Sequence, residues 1–564
     1  MLTASTHGKN ATLPAHINPE ECTSFGYFFP DAPTPDFNEN TEDHLGELFA
    51  NMVGRASDPT DGALPPIFTY LGQFIDHDIT NQVDIDPTVT DNIGPIDPQD
   101  RAVVLAAIKN QRTGQLDLDS LYGPQTLSSN PTLNKLMATM RFPADPAKMR
   151  LAFPDPNTKF VAEFPTDRAA DLLRLERVFG QEVTQTDLDA LPDDHKGLFL
   201  DSDGNPNLSR ALIGDNRNDE NLFISQVHMA FLRLHNTMVD AIRANNPGLS
   251  TTAVFENARQ AMQWTYQWMI MNIYLPSLCD PVALRDVIQS GAVLYGDFLG
   301  QCDLDHGMPM PLEFSVAAFR FGHSMVRPGY DWNDRFGRDK NGNGDLASFE
   351  LFFAFTANGS PPMFGASTKL PANWVGDFTR LVTANATRPD RVARLIDTKV
   401  ALPLTNMQNE DKEGDTDEEK TLRRNLIARN LRRGFRMNVP SAQACADKLK
   451  NTYGFDVPML TKAQLKSGTT GSIVDEANFD DETPLWFYVL KEAEVMHRGQ
   501  RLGPLGTHLI AGTLCGLVIH DSDSYWHKTG SIEGRWHPVD GPRPNGQIVD
   551  SLPAFFRAAG LMKS

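Results

Sequence analysis

Apolar residues recurring at three- and four-residue intervals mark most of the chain as helix. The strongest run is Pro65-Pro66-Ile67-Phe68-Thr69-Tyr70-Leu71-Gly72-Gln73-Phe74-Ile75-Asp76-His77-Asp78-Ile79-Thr80. Ile67, Tyr70, Leu71, Phe74 and Ile75 share one face there, and the two prolines suit a helix start. Leu222, Phe223, Val227, Phe231, Leu234, Met238 and Val239 predict a long helix beginning near Asn218. Further helices are expected from about Thr252 to Tyr274 and over Phe314–Met325, the latter ended by Arg327-Pro328-Gly329. Shorter ones are expected around Glu42–Val53, near Asp167–Arg177, within Leu370–Ala401, and at Leu485–Glu494 and Leu505–Ile519. Thr416 and Glu419 have capping-box spacing for a helix carrying Leu422, Leu426, Ile427 and Leu431. Gly114–Tyr122 reads as a loop or short extended segment, and Asp201–Pro206 as a turn. The fold class expected is mainly α, with long irregular loops and little β.

Composition narrows the function classes. A formal charge of −21 disfavours electrostatic capture by nucleic acid or an anionic membrane. Five widely spaced cysteines, Cys22, Cys279, Cys302, Cys445 and Cys515, provide neither a disulfide framework nor a paired-cysteine metal site. No apolar run reaches the roughly 20 residues that span a bilayer. Met1–His16 lacks a basic region followed by an apolar one, so no signal peptide is read there. The expectation is a cytoplasmic chain, or one exported by a non-classical route. Oligomeric state is not legible.

Chemistry gathers in a few places. On the first helix Gln73, Asp76 and His77 stand at i, i+3 and i+4, while Asp78 points about 200° away from Asp76. One turn thus offers an amide, a carboxylate and an imidazole to one site and a second carboxylate to another. Taken alone, this is equally a helix with a satisfied histidine and solvated acids. Arg217 and Glu220 share a face at the expected helix start, and His323 sits on an apolar helix beside Gly322. Asp339, Asn341, Asn343, Gly344, Asp345 and Glu350 occupy EF-hand loop positions. The preceding Pro328-Gly329 leaves little room for an entering helix, so calcium binding and a plain Asn/Gly turn both suit that loop.

In order along the chain, four motifs resemble the animal-type haem peroxidases of the peroxidase–cyclooxygenase superfamily, in a form similar to its bacterial members. They are Gly72-Gln73-Phe74-Ile75-Asp76-His77-Asp78, Asp117-Leu118-Asp119-Ser120-Leu121-Tyr122-Gly123, Gly214-Asp215-Asn216-Arg217-Asn218-Asp219-Glu220-Asn221 and Phe319-Arg320-Phe321-Gly322-His323-Ser324. Length alone suggests about three or four domains. The resemblance implies instead one helical haem-peroxidase domain over 24–564 after an arm, 1–23.

The resemblance also implies haem b, with Asp76 and Glu220 in the places of two acids that form esters to it. His77 takes the place of the distal histidine with Gln73 beside it, Arg217 that of the catalytic arginine, and His323 that of the proximal iron ligand. Asn430 falls where a residue accepts the ligand's other N–H, and Arg320 and Arg433 fall where propionates are held. Asp78, Thr113, Gln115 through its carbonyl, Asp117 and Asp119 correspond to calcium ligands. The implied activity is reduction of hydrogen peroxide through a ferryl intermediate, with a small electron donor: bromide, iodide, thiocyanate or a phenol.

Two departures stand out. Asn221 replaces the methionine that the most oxidising mammalian member joins to its haem, and Arg432–Pro440 lacks the family's Arg-Asp-His-Gly. A fatty-acid haem dioxygenase of the same superfamily is the alternative. Those enzymes share a tyrosine three residues before the proximal histidine, where this chain has Arg320. A non-catalytic haem- or calcium-binding protein is a further reading, opposed by the presence of Gln73, His77 and Arg217.

Overall fold

The computed structural model describes every residue except 1–10, 13–21, 56–57, 59, 124–129, 162–166, 202, 305, 340, 355, 357–368, 385–387, 389–390, 408–409, 413 and 564. Helix α1, Ile67–Ile79, buries eleven of its thirteen residues, so it runs through the core rather than over it. Phe74 stacks on Phe231 at 4.3 Å between centroids and meets Tyr266 edge-on at 6.0 Å. Tyr70 stacks on Phe223 at 3.7 Å. These partners lie on α2, Leu222–Asn245, and α3, Thr251–Met269. Both starts are capped: Ile224 N–H donates to the Asn221 side chain at 3.0 Å, and Ala253 N–H to Ser250 Oγ at 3.2 Å.

Three helices of the C-terminal half close the core: α4 Leu426–Arg436, α5 Leu485–His497 and α6 Pro504–Ile519. α6 is apolar all round and buries fifteen of sixteen residues. Among the described residues strand is confined to short segments, in one three-stranded sheet and three two-stranded pairs. Gln82–Asp84 runs antiparallel to Ile108–Asn110, which ties the end of α1 to the acidic loop that follows. The chain around His323 is not α-helix. A π turn over Glu313–Ala317 passes into a 3-10 stretch over Ala318–Met325.

Two expected helices give way to tertiary pairing. Asp167–Arg177 is extended apart from a 3-10 turn at Leu175–Arg177, because Ala152 N–H and Leu212 N–H donate to Asp171 O and Leu173 O at 2.9 and 2.8 Å. Leu370–Ala401 holds short helical turns, among them Ala372–Trp374 and Phe378–Val382, and no long helix among its described residues. Its later part is a strap. Ala393 N–H donates to Leu64 O at the start of α1, and Arg394 N–H to Met325 O at the end of the His323 stretch. Arg217 and Glu220 precede α2 on a 3-10 turn, Asn216–Asp219, since Asn221 is spent as the helix cap. The Thr416–Glu419 capping box forms as expected, but its helix ends at Arg424, and Asn425 caps α4 afresh.

Candidate active site

A cavity lies between α1 and the His323 stretch. Gln73 and Asp76 line it from the helix, and Arg320, Gly322 and His323 from the opposite wall, with Phe68, Tyr274, Phe319 and Phe321 between. A Cβ added to Gly322 would enter open space, so this glycine leaves room beside His323. His323 Nδ1 lies 2.8 Å from the Asn430 side-chain amide of α4. With the amide oxygen turned to the ring, Nδ1–H donates and Nε2 keeps its lone pair. Replacing Asn430 with Leu should weaken any metal bond made by His323 about 10- to 100-fold, measured by titration of the full chain with a metalloporphyrin.

On the α1 side His77 is buried, and Gln73 Nε2 donates to Glu220 Oε1. His77 Nε2 stands 4.0 Å from that same oxygen, and His77 Nδ1 lies 2.9 Å from Asn218 Oδ1. Burial, with the nearby charge of Arg217, pushes the His77 pKa down, so the ring is held as a neutral base. Asp76 Oδ1 accepts from Thr80 Oγ1 at 3.0 Å.

Opposite this face, Asp78, Asp117 and Asp119 bring carboxylate oxygens within 4.8 Å of one another in a buried pocket. Asp78 accepts only neutral donors: Ser120 Oγ at 2.7 Å, and the Ser120 and Leu118 N–H groups at 3.2 Å each. Burial and the charges of Asp119 and Asp117 push its pKa up. Thr113 Oγ1 joins the group at 3.2 Å from Asp117 Oδ2, and Gln115 contributes its N–H to that hydroxyl. Three buried acids around an oxygen-rich centre suit a hard divalent cation.

An ion-pair ladder links this centre to the cavity. Arg112 bridges Asp119 at 3.2 Å and Asp215 at 2.6 Å, and Asp215 in turn binds Arg217 Nη2 at 2.6 Å. Despite its burial, Asp215 is held far below the usual carboxylate range by Arg112 and Arg217. Arg217 Nη2 also donates to His77 O at 2.9 Å and Thr80 O at 2.6 Å, so the guanidinium grips the end of α1. Gly214 seats this loop on the acidic turn. A Cβ there would lie 2.4 Å from Asp119 O and 2.6 Å from Gly123 N. Gly214→Ala should therefore destabilise the chain by about 1–3 kcal/mol, read from a denaturant midpoint.

Residues 166–434 match the animal haem peroxidase family, and thyroid peroxidase of Mus musculus is 24% identical over 332 residues. That stretch of the chain is similar to the animal haem peroxidases. The mouse match covers 58% of this chain and 33% of that protein, so the chain spans about a third of the relative's length. Peroxidase mlt-7 of Caenorhabditis elegans is 27% identical over 276 residues, which cover 48% of this chain and 32% of that one. Among solved structures, peroxidase A of Dictyostelium discoideum superposes with a TM-score of 0.54 at 15% identity, covering 96% of this chain and 94% of its own. A fatty acid alpha-dioxygenase of Oryza sativa gives 0.56 at 13%, covering 95% and 82%. These two likenesses show the fold alone. Gln73, His77 and the acidic loop lie before the matched stretch.

The site of this peroxidase relative fits haem b in its own chemistry. Burial and the neighbouring Arg320 bring Arg433 down to about 9. Arg320 is pushed down by burial and by Arg429 and Arg217, against the pull of Asp76. Among the described residues Arg320 makes no ion pair and donates through Nε to Ser315 O at 3.0 Å. Arg433 donates to Gln82 Oε1 at 2.5 Å. Such crowded, buried guanidinium groups call for anions, which haem's two propionates would supply.

Two participants escape the sequence pattern, Asp215 and Arg112, which carry the ladder. His228 and His235, expected as core or surface residues, are buried, and each holds a polar partner. Asn218 Nδ2 meets His228 Nδ1 at 3.1 Å. His235 Nε2–H donates to Ala147 O at 2.9 Å, which leaves Nδ1 to accept from Tyr122 Oη at 2.9 Å. Their seven-residue spacing on one face of α2 was the available signal. The Asp339 loop closes on itself: Asn341 and Asn343 N–H donate to Asp339 Oδ1 at 2.8 and 2.9 Å. Among the described residues Asp339, Asp345 and Glu350 form no carboxylate group of the kind made by Asp78, Asp117 and Asp119.

Proposed function

We propose that this chain reduces hydrogen peroxide and oxidises a small donor, bromide, iodide, thiocyanate or a phenol, with haem b held between α1 and the His323 stretch. The observation that carries this reading is one cavity lined by His323 on one wall, with Asn430 bonded behind it, and by Gln73 and Asp76 on the other, where Gln73 meets Glu220 beside the buried His77. Bound there, haem would supply the iron that takes an oxygen atom from peroxide and the electrons that reduce it.

His323 would hold the iron through Nε2, with Asn430 fixing the ring. Arg320 and Arg433 would hold the propionates, and Asp76 and Glu220 are the acids available for ester links. His77 would take peroxide's proton at Nε2 and return it to the departing oxygen, as base and then acid. Gln73 orients Glu220 and closes the same corner. Arg217 uses Nε and Nη2 on Asp215 and on two carbonyls, so Nη1 is the donor left to offset negative charge on the departing oxygen. Calcium, taken by Asp78, Asp117, Asp119 and Thr113, would hold the loop under this arginine. Asn221 is committed to capping α2, so no sulfur link to haem forms there, which favours donors easier to oxidise than chloride.

The test sets bromide or a phenol with hydrogen peroxide against linoleate with oxygen, using the haem-loaded full chain. Bromination or phenol coupling without linoleate oxygenation is expected. Linoleate hydroperoxide as the sole product would overturn the proposal in favour of a dioxygenase. No product from either would leave a binding protein.

A further inference from the structure

We propose that Asn218, itself held by His228, is a positioning residue that fixes which nitrogen of His77 carries the proton. Its use in catalysis rests on the peroxidase reading; the hydrogen-bond arrangement does not. Three elements meet here: His77 on α1, Asn218 on the 3-10 turn before α2, and His228 two turns into α2. Asn218 presents Oδ1 to His77 Nδ1 at 2.9 Å and Nδ2 to His228 Nδ1 at 3.1 Å. An amide oxygen can only accept and an amide nitrogen can only donate. In this orientation of the amide His77 is protonated at Nδ1 and bare at Nε2, while His228 accepts at Nδ1.

All three residues are buried, at 3%, 0% and 0% exposure for His77, Asn218 and His228, so water does not compete for these bonds. The turn that carries Asn218 is itself fixed: Asn218 N–H donates to Asp215 O at 3.1 Å, and Arg217 N–H to Asp215 Oδ1 at 2.8 Å. Among the described residues no hydrogen bond reaches His77 Nε2 from the other side. Glu220 Oε1 stands 4.0 Å from His77 Nε2, beyond hydrogen-bond reach, and already accepts from Gln73. Turning the amide over would put Nδ2 against His77 and move the proton to Nε2, closing the lone pair that a general base needs. His228 Nε2 is buried without a hydrogen-bond partner among the described residues in either orientation, so it does not choose between them. What His228 supplies is a buried partner for the other end of the amide, at 3.1 Å.

The test reads the proton directly. The full chain, labelled with 15N-histidine and loaded with diamagnetic zinc protoporphyrin, should show His77 protonated at Nδ1 and unprotonated at Nε2. Asn218→Asp retains an oxygen facing His77 and should retain that pattern, whereas Asn218→Leu should give a mixture of tautomers. In the haem-loaded chain Asn218→Leu should slow peroxide consumption about 10- to 100-fold, the range for losing such an orienting bond, at unchanged haem content. Wild-type His77 protonated at Nε2 would overturn the proposal, as would Asn218→Leu with the wild-type tautomer and rate. A wild-type chain that binds haem but ignores peroxide would fail the peroxidase reading and leave the tautomer result standing.

Discussion

Replacing His77 with Ala should leave haem bound and slow the reaction with peroxide by about 10²- to 10⁴-fold, the usual worth of a positioned general acid–base. Haem retention is expected because the contacts assigned to hold it, at His323, Arg320 and Arg433, are on other elements. The loss is expected to be large because no second imidazole faces this part of the cavity among the described residues. Gln73 cannot accept and return a proton, and Glu220 is occupied by Gln73. Burial already holds the His77 ring neutral, so the wild-type chain keeps its base without needing an alkaline medium. Stopped-flow mixing of the haem-loaded variant with peroxide measures this step apart from donor oxidation. An unchanged rate would remove His77 from the mechanism.

Removing calcium should lower both stability and activity. Without a cation, Asp78, Asp117 and Asp119 face one another in a buried pocket, and an uncompensated buried charge typically costs about 3–5 kcal/mol. The cost would be felt at Arg217, because Asp119, Arg112 and Asp215 connect the acidic pocket to it in an unbroken series. Chelation is therefore expected to lower the apparent melting temperature by several degrees and to slow peroxide reduction. Above saturation, stability should rise by about 1.4 kcal/mol for each tenfold increase in free calcium. Asp78→Asn should abolish that dependence. Identical melting curves in chelator and in millimolar calcium would refute the assignment.

How far these features were legible depended on what satisfies each segment's backbone. α1 follows from its own apolar spacing, and the placement of Gln73, Asp76 and His77 apart from Asp78 follows from helix geometry. Those relations survive in the fold because the helix is buried on nearly every side. The Asp167–Arg177 stretch has acid and base at helical spacing, yet Asp171 and Arg174 meet as an ion pair at 3.6 Å on extended chain. Distant segments supply their backbone partners there, and no local pattern reports a distant carbonyl. The strap around Ala393 escapes for the same reason. Asp215 and Arg112 were illegible because each acts on a residue far away in sequence. Asn218 is the sharpest case. Its neighbours in the motif pointed to the site, but its role needs His228, which becomes a partner only when α2 lies beside α1.

The most direct measurement is a haem titration of the full chain and of His323→Ala, followed by absorbance. The wild type should bind one equivalent with the spectrum of a histidine-ligated haem, and the variant should lose that spectrum. Equal binding with identical spectra would mean that the cavity beside His323 is not the haem site.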